Sequence, residues 1–366
     1  MSQLPPYRAD QVGSLLRPAE LLQMRRSGVP LAQLRKAEDE YILRAIQHQR
    51  DAGLDVLTDG ELRRRNFMSD FVDAVAGFDV EKAIGRSWSG SDSAAAVSSV
   101  TGIVTSRLRQ IAPLTGHEVP FMQAHAPGNF KITLPSPTQF PAISYKRGIT
   151  DKIYPTPSAL LSDIVAIMSK ELRSLSSQGA SYVQIDAPRY SYYIDPKWRD
   201  WMKTEMGQDP DSALEESVEA DNACLQAARR PGITLAIHLC RGNNRSHWYA
   251  EGGYDVIAEQ LFSTLAVDRF LLEYDDERSG TFEPLRFVPR GKMVVLGLIS
   301  SKRPQLEQKS EIARRISQAS RYVPLENLAL SPQCGFASTA EGNLLSEENQ
   351  WAKLRLVHEV AREVWH

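Results

Sequence analysis

Four residues of this chain have the side chains that hold a soft metal ion: His238, Cys240, Glu273 and Cys334. Each ends or follows a short apolar run. His238 and Cys240 form His-Leu-Cys after Gly232-Ile233-Thr234-Leu235-Ala236-Ile237, Glu273 closes Phe270-Leu271-Leu272, and Cys334 follows Leu328-Ala329-Leu330-Ser331-Pro332-Gln333. At a strand end, residues i and i+2 point to one side, so His238 and Cys240 can face one ion. Imidazole, two thiolates and a carboxylate form a mixed N/S/O set that favours zinc over magnesium or calcium. Singly, each has a plainer explanation: a buried cysteine is commonly an inert small hydrophobe, and a lone His-x-Cys is a weak signal. Four together at strand ends point to a metal. The third cysteine, Cys224, lies inside a helical pattern with no partner ligand and reads as structural.

Zinc suits a thiol substrate. A free thiol titrates near pH ~8.5, and coordination deprotonates it, giving a thiolate nucleophile at neutral pH. The incoming sulfur needs an open position or one vacated by the weakest ligand. Glu273, the one oxygen donor, is expected to move aside.

The elements that must position these residues alternate short apolar runs with helical stretches. Strands are expected at residues 11–14, 55–58, 131–134, 182–186, 234–238, 269–273, 293–299 and 328–330. Between them lie amphipathic helices. Residues 158–177 place Leu161, Ile164, Met168, Leu172 and Leu175 on one stripe, with Ser158 as the expected N-cap and Gly179 as the stop. Residues 307–322 and 346–365 follow the same logic. Eight strands each followed by helical sequence fit a (β/α)8 barrel, and no Gly-rich nucleotide-binding turn argues for a doubly wound sheet. The 33 residues from Cys240 to Glu273 span about one β/α unit and the 61 from Glu273 to Cys334 about two. The ligands then belong to strands five, six and eight and open on the carboxyl-terminal face. One barrel domain is expected over residues 1–366, with a flexible surface excursion at 85–105 around the Ser-rich stretch 87–99.

With 366 residues, 42% hydrophobic and 24% charged, the chain can build a sizeable core. A net charge of −2 gives no electrostatic case for nucleic acid or an anionic membrane. No apolar run approaches the roughly 20 residues that span a bilayer, and residues 1–10 lack a signal-peptide core. A cytoplasmic location is the expectation. The oligomeric state is left open, a homodimer being one candidate.

At the metal-ligand residues the sequence resembles the cobalamin-independent methionine synthase family, in its carboxyl-terminal catalytic barrel. The matching blocks are Val12-Gly13-Ser14, Asp59-Gly60-Glu61, Gln184-Ile185-Asp186-Ala187-Pro188, His238-Leu239-Cys240, Glu273 and Ser331-Pro332-Gln333-Cys334-Gly335, in family order across nearly the whole chain. Residues 238–255 are similar to the short, single-barrel branch. The resemblance implies a barrel of the methionine synthase/uroporphyrinogen decarboxylase type and zinc held by His238, Cys240, Glu273 and Cys334. It also implies homocysteine on a turn at Val12, Gly13 and Ser14, its amino group gripped by Glu61 and Asp186. Two strand-end carboxylates suit an ammonium group through charge-assisted hydrogen bonds.

The donor side departs from the family. The second, amino-terminal barrel of full-length members is not in this sequence, which puts folate binding in question. Ser300 stands where the family has a proton-donating histidine, with Lys302 two residues on, and a serine hydroxyl is a poor proton donor at neutral pH. The usual Asp-Glu-Pro-Ala reads Asp186-Ala187-Pro188-Arg189, and a pterin-contacting glutamate is replaced near Tyr192. Tyr190, Tyr192 and Tyr193, and Arg241, Arg245, His247, Trp248 and Arg278, are candidate donor-side residues or plain loop residues and ion pairs. The reading is methyl transfer from a folate-type or simpler donor to a thiol, homocysteine first. Two alternatives stand beside it: zinc-dependent alkylation of a thiol such as coenzyme M by an epoxide, and a non-catalytic zinc- or thiol-binding barrel.

Overall fold

A computed structural model describes residues 7–81, 85–89, 95–98, 102–115, 117–126 and 128–365. Its strands are β1 (Val75–Asp79), β2 (Gly85–Trp88), β3 (Ala95–Ser98), β4 (Ile103–Gln110), β5 (Lys131–Pro135), β6 (Tyr182–Asp186), β7 (Thr234–Leu239), β8 (Arg269–Glu273), β9 (Met293–Ile299) and β10 (Leu328–Pro332). The last six form one parallel sheet in sequence order. They are buried almost throughout, as strands covered on both faces must be. Their positions match the expected third to eighth strands.

Neither expected amino-terminal strand forms: one parallel bridge falls at Ala9, ahead of 11–14, and one at Leu57, within 55–58. Ala9 bridges Leu330 and Leu57 bridges Phe130. Asp10 N–H donates to Leu330 O at 2.9 Å, Asp55 N–H to Ala9 O at 3.0 Å, and Lys131 N–H to Leu57 O at 2.9 Å. These bonds carry the ring from β10 round to β5. No ladder forms because side chains take the backbone groups instead. Asp10 accepts from Gln11 N–H, Gln49 accepts from Thr58 N–H and donates to Thr58 O, and Thr58 Oγ1 donates to Gly13 O.

Inside the ring lies a layer of Tyr7, Val12, Val56, Tyr182, Ala236, Leu271, Val295 and Ala329. From β5 the layer receives Lys131, whose Nζ sits 2.7 Å from Asp10 Oδ1 and donates to Gln184 Oε1 at 2.8 Å. A second, larger core joins the sheet to its helices. Helix Pro157–Ser177 is the expected amphipathic one, capped by Thr156, which accepts from Ala159 N–H; Gly179 at φ 92° ends it. The expected helix at 307–322 is confined to Lys309–Ala319, because Glu307 is drawn off to Lys353, 3.0 Å away. The carboxyl-terminal helix runs Glu347–Trp365.

Two antiparallel pairs were not expected. β1 pairs with β4 and β2 with β3. The Ser-rich stretch read as a featureless excursion thus contains a hairpin, and Ser89 bridges Trp248. Residues 90–94 and 99–101 of it lie outside the described residues.

Candidate metal and substrate site

β7 and the residue after it carry His238 and Cys240 on one side of the strand, and Cys334 follows β10 by two residues. One ligand atom from each of the three lies within 4.8 Å of the others, and all three residues are buried. The sulfurs of Cys334 and Cys240 are 4.0 Å apart. Neither ring nitrogen of His238 has a hydrogen bond of normal geometry, although the Cys334 sulfur is close enough to interact with it. Two enclosed ring nitrogens and two thiols converging on one point are what a metal ion would satisfy. The trio could hold one.

The thiols already behave as a pair. Cys334 is hydrogen-bonded to Cys240, and this, against burial and with help from His238, holds its thiol well below the ordinary range. Cys240 is pushed well above it by the same contact, with burial and Cys334's charge adding. Burial opposes charging His238, yet Cys334, Asp186 and Glu273 together raise its pKa.

Glu273 is fully buried at the end of β8, but its carboxylate is not gathered into the trio. Oε2 accepts from Arg241 N–H at 2.6 Å, and Oε1 lies 3.4 Å from Arg278 Nη2.

The trio opens on a cleft of about 890 Å³ including its mouth, also lined by Val12, Ser14, Glu61 and Asp186. The register that sets Asp186 opposite His238 brings the acid to the metal trio. Gly13 is not on the wall but shapes it: a Cβ there would meet Thr133 Cγ2 at 2.8 Å and Glu61 Oε1 at 3.2 Å. Glu61 has a left-handed backbone, φ 56°, a strained state that surrounding contacts must enforce. Asp59 Oδ1 accepts its N–H, and Arg17 donates to its carbonyl. Its Oε1 accepts from Thr133 Oγ1 at 2.8 Å, and its Oε2 is enclosed with no partner. Burial raises the Glu61 pKa against Arg64 and Thr133. Burial also lifts Asp186 to about 7, opposed by His238 and assisted by Glu61. Two buried carboxyls face one cleft, Glu61 with Arg64 Nη1 3.7 Å from its Oε1 and its Oε2 left open, a pair that suits an ammonium group.

Of the donor-side candidates, Tyr192, Arg241, Ser300 and Lys302 do not line that cleft. Tyr192 lies behind it, stacked on Trp198 with centroids 4.0 Å apart. Arg241 turns away, its guanidinium 4.0 Å from the Tyr254 ring and its Nη2 donating to Gly252 O at 2.6 Å. Ser300 N–H donates to Glu307, and Ser300 Oγ accepts from Lys302 N–H. Lys302 Nζ is enclosed without a hydrogen bond, and its charge helps lower the Cys334 pKa. Of the loop residues, Arg278 covers the Trp248 ring at 4.0 Å and pairs with Asp276, while Tyr190 and Tyr193 donate to Asp221 and Ala213. Cys224 is buried in helix Pro210–Ala228, its thiol pushed up to about 12 by burial.

The cleft walls include residues that the sequence did not single out for the site: Phe67, Met68, Trp88, Gln139, Arg189 and Tyr249. Arg189 had a signal as the last residue of a block that departs from the family motif, and Tyr249 lies within the 238–255 stretch similar to the short branch.

The sequence profile of the family "Cobalamin-independent synthase, catalytic domain" matches residues 16–363. The chain belongs to that family. It is 39% identical over 368 residues to the uncharacterised protein YxjH of Bacillus subtilis, covering 98% of this chain and 95% of that one. It is 25% identical over 342 residues to a methionine synthase of Pyrococcus abyssi, covering 91% and 87%. A structure assigned as a vitamin-B12-independent methionine synthase from Listeria monocytogenes superposes with a TM-score of 0.72 at 29% identity, covering both chains fully. A B12-independent methionine synthase from Shewanella sp. W3-18-1, solved with selenomethionine, superposes at 0.71 and 20% identity over 97% of this chain and 96% of that one, and shows the fold alone. The fold is thus the mixed α/β, barrel-like architecture of methionine synthase catalytic domains, and family membership supports a methyltransferase. Among the described residues no helix is long and apolar enough to cross a membrane.

Proposed function

We propose that this family member is a zinc-dependent methyltransferase that moves a methyl group from a 5-methyltetrahydropteroyl-type or simpler donor to the thiol of homocysteine, forming methionine. The observation that carries the reading is the shared cleft: a His238–Cys240–Cys334 trio within 4.8 Å, with two buried carboxyls, Glu61 and Asp186, on the same walls. The donor set of one imidazole and two thiols fits zinc, and the enclosed, unpartnered nitrogens of His238 fit a ligand role. Glu273, whose carboxylate lies outside the trio on Arg241 N–H and Arg278, would be the fourth, weaker ligand. When bound, zinc would hold the substrate sulfur as a thiolate at neutral pH.

The chain's own residues do the rest. Glu61 and Asp186 bind the α-ammonium and orient the sulfur toward the trio. The turn at Val12, Gly13 and Ser14 closes the other side. The apolar wall of Phe67, Met68, Trp88 and Tyr249 excludes water from the path of the methyl group. In the transfer the sulfur forms a bond to the methyl carbon as the bond from that carbon to the donor breaks. The bonding pair leaves with the donor atom, which then takes up a proton.

The carboxyl pair separates this reading from alkylation of an anionic thiol, since two carboxyls repel a sulfonate and attract an ammonium. Mixing zinc-loaded protein with homocysteine and a panel of methyl donors tests it: methionine forms with at least one. Turnover of coenzyme M in place of homocysteine would reject it.

A further inference from the structure

Arg189 sits on the short helix Pro188–Tyr193 after β6 and lines the cleft while only 4% exposed. Among the described residues its side chain makes no ion pair and donates no hydrogen bond, and its Nε and Nη1 are enclosed without partners. Its neighbours are ring faces: the guanidinium carbon lies 3.8 Å from the Tyr192 centroid and 5.9 Å from that of Tyr249. Rings attract a guanidinium but give no acceptors to its five N–H groups. A buried cation with no anion is strongly disfavoured, so the pocket is complete only when an anion enters. A second unanswered donor, Gln139 Nε2, is buried on the same wall.

We propose that Arg189, with Gln139, binds a carboxylate of the methyl donor. The inference rests on the methyl-transfer reading above and names the class of donor. Arg189 is the one arginine or lysine among the described residues lining the cleft, so apart from the metal site the walls offer one side-chain cation of that kind. That matches a carboxylate, whereas a phosphate dianion would need a second cation. Glu61 and Asp186 line the same cleft but make no ion pair with Arg189, which leaves it free for the donor while they take the ammonium of the thiol substrate. Tyr192 then acts from behind, as the platform that keeps the guanidinium in place.

The test uses zinc-loaded full chain and calorimetric titration of two carboxylate probes, 5-methyltetrahydrofolate and glycine betaine, each against its carboxamide. The acid form of at least one probe should bind, with its amide about tenfold or more weaker on the unaltered protein. Arg189→Gln should erase that preference and leave homocysteine affinity unchanged. Failure of both acids to bind, equal binding of acid and amide, or a loss of homocysteine affinity in Arg189→Gln would overturn the proposal. The amide comparison needs no variant and survives a folding defect in one. If homocysteine fails to reach the metal while acid binding still depends on Arg189, the methyl-transfer reading fails and the carboxylate site stands.

Discussion

The sulfurs of Cys240 and Cys334 lie 4.0 Å apart, at the ends of two strands separated in the sheet by β8 and β9. A parallel barrel brings every strand end to one rim, so residues far apart in sequence meet there. Even outer partners of a metal ligand are worth about 10–100-fold in affinity, so Cys334→Ser should weaken zinc by at least about 100-fold. Competition with a chelator checks this; zinc retention equal to wild type would remove Cys334 from the ligand set.

Glu61 and Asp186 are expected to act on substrate and not on the metal. Charge-assisted hydrogen bonds contribute about 1.5–3 kcal/mol each, so Glu61→Gln or Asp186→Asn should raise KM for homocysteine roughly 10- to 100-fold. Zinc content should stay at the wild-type level. Steady-state kinetics with metal analysis decide it, and an unchanged KM in both variants would take the ammonium away from this pair.

Gly335 tests how tightly the Ser14 turn is packed against the metal loop. A Cβ at this position would stand 2.0 Å from Ser14 Oγ, and Phe336 N–H already donates to Ser14 O at 2.8 Å. Gly335→Ala should cost about 1–3 kcal/mol through overpacking. Thermal denaturation should show a lower midpoint; an unchanged one would mean the turn yields freely.

Asp221 gives a pH signature remote from the metal. It accepts from Ser136 and Tyr190 at 2.7 and 2.8 Å, yet burial lifts its pKa from 3.8 to about 7. The folded state therefore holds a proton that the unfolded state has lost, and stability falls as pH rises from about 4 to about 7. Asp221→Asn keeps the shape without the charge. Its stability advantage over the parent should grow across that window and level off above it, as denaturant melts at several pH values would show. A constant difference would mean Asp221 titrates alike in both states.

The residues that read most clearly from the sequence were those where chemistry and period coincide. His238 and Cys240 are two apart at the end of an apolar strand, so strand alternation alone puts them on one side. The third to eighth strands were legible because burial on both faces makes them continuous apolar runs. Residues 11–14 and 55–58 look similar on paper, but Gln49 and Asp10 take their backbone groups, an interaction between segments that a local pattern does not carry. β4, Ile103–Gln110, was missed because its carboxyl-terminal half is partly exposed and polar. Arg241 and Arg189 show the same limit at the site. Both are arginines just beyond strand ends, yet one is spent on Gly252 O and the other faces the cleft unpaired. Which neighbour an arginine finds is a matter of tertiary structure.

The central claim is that this cleft brings a thiol to a metal held by His238, Cys240 and Cys334. Zinc-edge X-ray absorption of the purified protein, before and after homocysteine, tests it most directly. Two sulfur neighbours on zinc are expected before addition and three after, with an oxygen neighbour lost as Glu273 withdraws. A spectrum unchanged by homocysteine, or a protein with no affinity for zinc, would contradict it.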